Sequence, residues 1–284
     1  MPLINYAYVN GRFVRENEAT VSIFDRGFLY GDGVFETMRI YDGKIFRARA
    51  HLDRLVGGLK ELEIDFRTPA EELMVIGEEL TKRNGVANGI ARVYVTSGQS
   101  AFGQDLNVQG GPTTVFVAKP FEFQTNPAAL HVTVSSVRLD TNSQLPRLKT
   151  ANRLPYILAR HEAKRAAAHD ALLRNINDRV IELTISNVFV AKNGEVFTPS
   201  LDDGPLAGIT RHAALVLAGE IRLPAYEMSF GLEFLSDADE MFATNSLIEI
   251  VPIVKLDDRT IPRRTITERL QQEYQKLVRE ELGL

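Results

Sequence analysis

The stretch FDRGFLYGDGVFETMRIYDGKIFR, residues 24–47, sets glycines and aromatic residues directly before an alternating segment. Polar and apolar side chains are interleaved from Val34 to Tyr41, as on a half-buried strand, and the following Asp42-Gly43 pair strongly favours a tight hairpin. The stretch is therefore predicted to run as loop, strand, turn and strand. A plain hairpin entered through a glycine loop fits these residues about as well as a ligand-binding loop does.

The bulk composition favours a globular protein that acts on a small molecule. Of 284 residues, 44% are hydrophobic and 25% are charged, and the net charge of -4 provides no basic field for nucleic acid or an anionic membrane. The chain has no cysteine, which excludes disulfides, thiolate nucleophiles and cysteine-ligated metals. No window approaches the roughly 20 apolar residues of a membrane span, and no signal peptide is evident. We expect a cytoplasmic protein.

Secondary-structure patterns divide the chain into a sheet with helices, a linker and a second mixed domain. Asn10-Gly11 predicts an opening hairpin, and leucines spaced for one helical face predict a helix over residues 48–63. Further elements are a helix starting at Pro69 and ending at Gly85, strands at 90–96 and 113–118, a helix within 152–169, a helix beginning near Gly208 and a terminal helix from about 263. The fold class is α/β or α+β.

Residues 120–129 are polar and include two prolines, so the linker is predicted at 121–129. The predicted domains are residues 1–120, with α/β character, and residues 130–284. A long glycine-bearing loop at 98–112 lies between two predicted strands, and long ordered loops often shape a site.

The residues that could carry chemistry do not form a metal or triad pattern. His51, His161 and His212 fall in helical patterns, where a solvated or packed imidazole is more common than a catalytic one. No zinc-protease, EF-hand, P-loop or nucleophile-elbow motif occurs, and no metal is expected.

Anion binding is better supported than metal binding. Gly208 precedes Ile209 and Thr210 where an apolar helix begins, so free amides and a hydroxyl could meet a phosphate at its positive end. Simple N-capping by Thr210 explains the same residues. A second polar cluster, Asn245 and Ser246 with the preceding threonine, is either part of such a site or an ordinary turn.

Two charged residues stand in unusual surroundings. Glu182 lies inside an apolar strand-like run, where a carboxylate needs either a salt bridge to arginine or a ligand cation. Lys149 follows Leu148 just before a helix, apart from the lysine-rich solvated segments. Taken alone it would be a surface lysine.

The ordered series DRGFLYGDGVFETMR, HLDRL, RVYVTSG, LKTANRL, VIELTISNVFV, LAGITR, DEMFATNS and IVPI resembles the class IV, or fold type IV, pyridoxal-phosphate enzymes. These include branched-chain aminotransferases, D-amino-acid aminotransferases and aminodeoxychorismate lyase. The resemblance implies a small N-terminal α/β domain, a larger C-terminal pseudo-barrel domain and pyridoxal 5'-phosphate as cofactor. It also implies a homodimer or a multiple of dimers.

Carried over position by position, the resemblance makes Lys149 the catalytic residue that holds the cofactor and moves the substrate proton. Glu182 would keep the pyridine nitrogen protonated. The phosphate and its surroundings would be contacted by Arg54, Ile209, Thr210, Asn245 and Ser246. The substrate would be lined by Tyr30, Phe35, Thr37 and Arg92, with Arg39 and Arg92 as candidates for binding a carboxylate.

The resemblance leaves the reaction open between members of the family. We expect a transaminase that moves an amino group from a hydrophobic, branched-chain-like amino acid to a 2-oxo acid such as 2-oxoglutarate in a ping-pong cycle. Thr37 and KTANRL favour the lyase, which releases 4-aminobenzoate and pyruvate. A D-amino-acid or (R)-amine transaminase is a further alternative, although Phe102 and Gln104 stand where the D-specific enzymes have arginine and histidine. A non-catalytic binder on the same fold is a different class of hypothesis.

Overall fold

The computed structural model describes residues 5–101, 106, 108–123 and 128–284. Contacts between Cα atoms divide the chain into two compact units. Of the described residues, unit 1 holds those within 5–123, residues 148–153 and Leu284, and unit 2 holds those within 128–147 and 154–283. The predicted linker at 121–129 includes residues 124–127, which lie outside the described residues, so the limits 1–120 and 130–284 stay predictions.

Unit 1 is built on a six-stranded antiparallel sheet with the strand order β2-β1-β8-β5-β3-β4. A two-stranded ribbon, β6 and β7, forms within the predicted long loop at 98–112, so the prediction of a loop there is wrong in part. Residues 102–105 and 107 of that segment lie outside the described residues. The elements are β1 Tyr6–Val9, β2 Arg12–Arg15, α1 Arg26–Tyr30, β3 Gly33–Tyr41, β4 Lys44–Ile45, α2 Ala48–Glu61, α3 Ala70–Arg83, β5 Gly89–Thr96, β6 Gln99–Ser100, β7 Val108–Gln109 and β8 Thr113–Pro120.

The two predicted hairpins of unit 1 are confirmed. Asn10 and Gly11 join β1 to β2 with φ of 46° and 88°, and Asp42 and Gly43 join β3 to β4 with φ of 44° and 75°. Positive φ at both central residues matches the right-handed twist of the paired strands, which is why these sequence pairs form such turns. The turns set the register that faces alternate side chains of β3 toward the core.

The predicted loop at the start of residues 24–47 is wrong in one respect, because it contains the short helix α1. The Asp25 carboxylate accepts a hydrogen bond from Gly27 N at 2.8 Å and caps the helix. Gly31 then ends it in the left-handed conformation, with φ of 71°. An aspartate before a short segment and a glycine after it are as typical of a loop as of a capped helix. Asp25 and Gly31 therefore do not distinguish the two structures by sequence alone.

Helices α2 and α3 cover the core of unit 1. Leu52, Leu55 and Leu59 of α2 are fully buried, as the leucine spacing predicts, and Pro69 directly precedes α3. The same cluster includes Val34, Met38 and Ile40 of β3, so one face of the strand packs beneath α2. Each such side chain contributes about 1.5–3 kcal/mol by burial.

Unit 2 contains a nine-stranded sheet, part of which closes on itself. Strands β9, β10, β11, β12, β15 and β16 pair in a ring, because β11 bonds both β10 and β12. The elements are β9 Leu130–Leu139, α4 Leu154–Arg165, β10 Asp170–Asn175, β11 Val180–Leu183, β12 Asn187–Lys192, β13 Glu195–Pro199, α5 Ile209–Glu220, β14 Ala225–Met228, β15 Glu240–Asn245, β16 Glu249–Leu256, β17 Arg259–Thr260 and α6 Thr265–Leu282.

The helices of unit 2 lie against particular strands of this ring. Helix α4 packs on β9 and β10, whereas α5 and α6 pack on each other and on β15. The mixture of parallel and antiparallel pairs with covering helices confirms the predicted mixed α/β class. None of the helices within the described ranges has both the length and the apolar character needed to cross a bilayer.

Candidate active site

The segment that carries Lys149 is laid along the start of β3 in unit 1. Phe35 N donates to Lys149 O at 3.0 Å, and Ala151 N donates to Gly33 O at 2.8 Å. A bridge between Val34 and Thr150 continues this pairing. The pairing holds the half-buried Lys149 with its Nζ atom 5.0 Å from the centre of the Phe35 ring. The lysine is therefore fixed on the sheet, whereas a surface lysine would project into solvent.

The Phe35 ring also supports Arg92 on the neighbouring strand. Phe35 and Tyr94 stack with centroids 5.3 Å apart, and the Arg92 guanidinium lies 4.8 Å and 4.9 Å from the two rings. Thr37 is opposite Arg92 in the β3–β5 register. Arg92 Nε is buried and has no hydrogen-bond partner among the described residues. The predicted residues Lys149, Phe35 and Arg92 are thus brought together, with Thr37 beside Arg92.

Two other predicted residues of unit 1, Tyr30 and Arg39, form cation–aromatic contacts of their own. Tyr30, at the end of α1, is exposed, and Arg26 lies 5.2 Å from its ring centre. Arg39 stacks 4.5 Å from the Tyr41 ring and 3.8 Å from the Phe123 ring. The predicted loop residues Phe102 and Gln104 lie outside the described residues.

Arg54 belongs to a buried charge cluster with Glu36 and His51. Arg54 donates to the Glu36 carboxylate through Nε at 2.6 Å and Nη2 at 2.9 Å, and His51 Nδ1 lies 2.7 Å from the same carboxylate. Burial opposes ionisation of Glu36, but Arg54 and His51 outweigh it and lower the pKa of Glu36 to about 2. Burial lowers the pKa of His51 despite the adjacent carboxylate, and the charges of Arg54 and Lys149 act in the same direction. The cluster is therefore a carboxylate, a guanidinium and a neutral imidazole.

Sequence reasoning missed Glu36 and explained His51 only as a packed or solvated imidazole. A signal was present, since Glu36 lies two residues from both Val34 and Met38 and so shares their inward face. His51 and Arg54 are three residues apart on α2, which places both on one side of the helix. A charged residue on a core face requires a buried partner, and this helix provides two.

Glu182 occupies a buried position at the end of β11 in unit 2. Tyr156 donates its hydroxyl to Glu182 Oε1 at 3.2 Å, and Leu206 N donates to Glu182 Oε2 at 3.1 Å. Asn187 Nδ2 lies 3.4 Å from the same Oε2 atom and also donates to Leu206 O at 2.8 Å. These three contacts to the Glu182 carboxylate come from uncharged donors: a phenol hydroxyl, a side-chain amide and a backbone N–H.

The start of α5 has the features of an anion site. Gly208 is its N-cap residue, so the expectation that Thr210 would cap the helix is wrong, and Thr210 lies buried in the first turn. Gly208 has no side chain to accept from the first-turn amides, and a Cβ there would overlap Asn187 Oδ1. On β15, the Thr244 hydroxyl is buried without a hydrogen-bond partner among the described residues. Uncapped amides and an orphaned hydroxyl fit a phosphate-bearing ligand.

The second polar cluster is a turn that Asn245 organises. Its Oδ1 atom accepts from Leu247 N at 2.8 Å and Ile248 N at 2.9 Å. Its Nδ2 atom donates to Ile185 O at 3.2 Å and Ser186 Oγ at 2.8 Å. Ser246 lies inside this turn. The Asn245 side chain thus shapes the turn that presents Ser246.

Comparison with known proteins assigns the family. The model of the family described as amino-transferase class IV matches residues 33–256. A protein of Methanocaldococcus jannaschii, provisionally named a branched-chain-amino-acid aminotransferase, is 36% identical over 274 residues, which cover 95% of each chain. The chain belongs to the class IV aminotransferase family, and the prediction of a pyridoxal-phosphate-dependent enzyme of this family is confirmed.

Similar relatives differ in their named activities. The aminodeoxychorismate lyase of Bacillus subtilis is 35% identical and covers 88% of this chain and 86% of its own length. A D-alanine aminotransferase of Staphylococcus epidermidis is 30% identical and covers 95% of this chain and 97% of its own length. Relatives of comparable similarity to this chain therefore carry the names of three different activities within one family.

Solved structures confirm the predicted fold type IV. The branched-chain aminotransferase of Thermoproteus uzoniensis with norvaline matches with a TM-score of 0.91 and 30% identity, over 97% of this chain and 95% of that chain. The branched-chain aminotransferase of Escherichia coli matches with a TM-score of 0.89 and 28% identity, over 97% and 94%. Another branched-chain aminotransferase, solved with pyridoxamine 5'-phosphate, matches with a TM-score of 0.90 and 26% identity, over 97% and 94%.

Proposed function

We propose that the protein is a transaminase that moves an amino group from a hydrophobic, branched-chain-like amino acid to a 2-oxo acid such as 2-oxoglutarate. The observation that carries this proposal is the Phe35 ring, which has the Lys149 amine at 5.0 Å and the Arg92 guanidinium at 4.8 Å. An amine can transfer protons at a substrate α-carbon, and a guanidinium binds carboxylates with matched geometry. Amino acids and 2-oxo acids carry the reacting carbon next to a carboxylate. Lys149 could therefore act on the carbon while Arg92 binds the carboxylate.

We further propose separate roles for Lys149 and Glu182. Pyridoxal 5'-phosphate supplies an electron-accepting ring that lowers the cost of removing the substrate α-proton. Lys149 would hold the cofactor and serve as the acid and base that moves this proton. Glu182, fixed by neutral donors, would keep a proton on the pyridine nitrogen.

For the phosphate, the proposed contacts come from three elements. Ile209 and Thr210 offer the first-turn amides of α5, where the helix dipole favours an anion. Arg54 presents a guanidinium that Glu36 orients through two hydrogen bonds. Asn245 contributes by shaping the turn that presents Ser246. The phosphate would then be bound by backbone amides, a hydroxyl and an oriented guanidinium.

Arg92 is the proposed anchor for a substrate carboxylate. Its stacking on Phe35 and Tyr94 restricts the guanidinium plane, and its Nε atom is buried without a partner among the described residues. An anionic group on the substrate would satisfy this donor. Tyr30, Phe35 and Thr37 would line the same substrate, with the aromatic rings favouring a hydrophobic side chain.

The lyase is the second candidate function. Thr37 stands beside Arg92 in the strand register, and a hydroxyl there could deliver a proton as pyruvate leaves. The identity of 35% to an aminodeoxychorismate lyase supports keeping this alternative. A D-amino-acid or (R)-amine transaminase is supported by the D-alanine aminotransferase relatives.

We also propose a cytoplasmic homodimer, or a multiple of dimers. Ile23, Phe24 and Phe28 near α1 are exposed apolar side chains, with Phe28 exposed by 72%. Large apolar side chains grouped in one short segment are common where subunits pair. Light scattering of the purified protein would measure the subunit number, and a monomer at working concentration would contradict the proposal.

Product analysis tests the proposed reaction. The protein is loaded with cofactor and given L-leucine, D-alanine, (R)-1-phenylethylamine or aminodeoxychorismate, each with 2-oxoglutarate. We expect glutamate and the oxo acid of leucine. Pyruvate with 4-aminobenzoate from the last substrate would establish the lyase instead, and turnover of D-alanine or the amine alone would establish those alternatives.

Arg92→Gln tests the carboxylate anchor in the same assay. We expect the KM for 2-oxoglutarate to rise at least about tenfold, because a charge-assisted bidentate contact is lost. Arg83→Gln is the matched control, since Arg83 also stacks on an aromatic ring, 4.2 Å from Phe13, in the same unit. An unchanged KM in Arg92→Gln would remove Arg92 from the substrate site.

A further inference from the structure

We propose that Tyr156 is a positioning residue for Glu182, holding its carboxylate ionised and correctly oriented toward the ligand. The inference rests on the proposed role of Glu182 at the pyridine nitrogen. Tyr156 itself touches neither substrate nor cofactor in this proposal and acts only through the carboxylate.

Packing fixes the position of the Tyr156 hydroxyl. Tyr156 is the third residue of α4, and its ring is buried in an apolar cluster that includes Leu139, Leu173 and Ile181. Only the hydroxyl end is polar, and it meets Glu182 Oε1 at 3.2 Å. Because the ring cannot move without opening this cluster, the hydroxyl is held as a stationary donor.

The two oxygens of Glu182 are held from different parts of unit 2. Tyr156 on α4 binds Oε1, whereas Leu206 N, before α5, binds Oε2 at 3.1 Å. Asn187 links the second contact to β12 by donating to Leu206 O at 2.8 Å. With donors on both oxygens, rotation about the terminal bond of Glu182 is restricted. Loss of the Tyr156 hydroxyl would leave one oxygen without this donor.

The hydroxyl also affects where a shared proton resides. A donor to a carboxylate stabilises its charged form over its protonated form. Between Glu182 and a pyridine nitrogen, this preference places the proton on the nitrogen. Without the Tyr156 hydroxyl, Glu182 would hold a proton on that nitrogen less firmly, which would weaken the electron-accepting character that the cofactor supplies. Tyr156 would thus raise the rate of α-proton removal without contacting the substrate.

The contact between Tyr156 and Glu182 can be tested without cofactor. The apoprotein is labelled with ¹³C at the glutamate carboxyls, and Glu182 is assigned from the resonance missing in Glu182→Gln. In Tyr156→Phe, which keeps the packed ring, we expect the Glu182 resonance to titrate at a higher pH than in wild type. Tyr226→Phe is the control, because Tyr226 donates to Glu195 at 3.4 Å on the exposed surface of the same unit. Identical titration of Glu182 in all three proteins would overturn the inference.

A double-mutant cycle then tests the consequence for turnover. We expect Tyr156→Phe to lower kcat roughly tenfold with little change in KM, as loss of a hydrogen bond to a charged group implies. In a Glu182→Gln background the same substitution should have no further effect. Additive effects would mean that Tyr156 acts through packing and would overturn the inference.

The two proposals fail in different ways. If Glu182→Gln retains wild-type kcat and cofactor affinity, the proposed role of Glu182 is wrong, and the inference about turnover falls with it. If Glu182→Gln loses activity while Tyr156→Phe matches wild type in both kcat and the Glu182 titration, only the inference fails. Cofactor affinity is measured by equilibrium dialysis of each apoprotein.

Discussion

Arg54 and Glu36 form a bidentate ion pair in unit 1, with Nε and Nη2 of the guanidinium 2.6 Å and 2.9 Å from the carboxylate oxygens. Glu36 is fully buried, and the side chain of Arg54 is only 18% exposed. A planar guanidinium held at two points has one orientation, so the proposed phosphate ligand is set before the phosphate arrives. Helix α2 sets the position of Arg54, and Glu36 sets the orientation of its guanidinium.

Replacing Glu36 with glutamine should destabilise the protein by about 2–4 kcal/mol, because removing one partner of a buried pair leaves an uncompensated charge. Urea unfolding of the apoprotein measures the change. Glu79→Gln is the matched control, since Glu79 pairs with Arg83 at 2.6 Å on the exposed surface of α3. That pair should contribute less than about 1 kcal/mol. An equal loss of unfolding free energy in Glu36→Gln and Glu79→Gln would contradict a larger contribution from the buried pair.

Acid should weaken the fold in two separate pH ranges. Glu36 has a folded pKa of about 2 against an ordinary 4.5, so its stabilisation is complete above 4.5 and is lost as the pH falls toward 2. His51 has a folded pKa below its ordinary 6.5. The unfolded chain therefore takes up a proton first, and stability falls as the pH drops below 6.5.

The His51 contribution can be isolated by substitution. Between about pH 7.5 and 5.5, a range that spans the ordinary histidine pKa, we expect the urea midpoint of wild type to fall more than that of His51→Gln. His212→Gln, at an exposed position on α5, should keep the wild-type dependence. A variant without His51 that lost stability as steeply as wild type would contradict a neutral, buried imidazole.

The start of α5 should be sensitive to one methyl group. Gly208→Ala places a Cβ against Asn187 Oδ1, and the shift of either residue would disturb the first-turn amides. We expect a loss of cofactor affinity of about tenfold or more, in line with roughly 1–2 kcal/mol from one displaced hydrogen bond to an anion. Equilibrium dialysis of the apoprotein gives this value.

Gly219→Ala is the control for that variant, because Gly219 is an exposed residue near the end of the same helix with open space around its Cα. Alanine should stabilise the helix there by about 0.5–1 kcal/mol and leave cofactor affinity unchanged. If both variants bound cofactor like wild type, the start of α5 would not be the phosphate site.

Lys149→Ala should abolish covalent retention of the cofactor and lower turnover by several orders of magnitude, since both the attachment point and the proposed base are lost. Borohydride treatment followed by peptide mass spectrometry reads the attachment directly. Lys60→Ala, at an exposed position in α2, should keep the adduct and the activity. An adduct on another lysine in wild type would move the catalytic role away from Lys149.

Much of the fold and part of the candidate site could be predicted from local sequence. Asp42-Gly43 requires positive φ at two successive residues, and the leucines of α2 repeat with the period of a helix, so both patterns fix structure over a few residues. The ordered motifs also identified the family, and they gave the predictions for Lys149 and Glu182, because each residue lies within a short distinctive segment.

The remainder depended on contacts between residues far apart in the chain. Glu36 and Arg54 are eighteen residues apart, and Tyr156 and Glu182 are twenty-six apart. Propensity and periodicity describe one element at a time, so they show that a carboxylate is buried without showing which donor meets it. The sequence by itself determined most of the elements and the family, and it provided the prediction for Lys149. The tertiary structure decided the partners of each charged group, because burial makes a charge stable only where another strand or helix brings its counterpart.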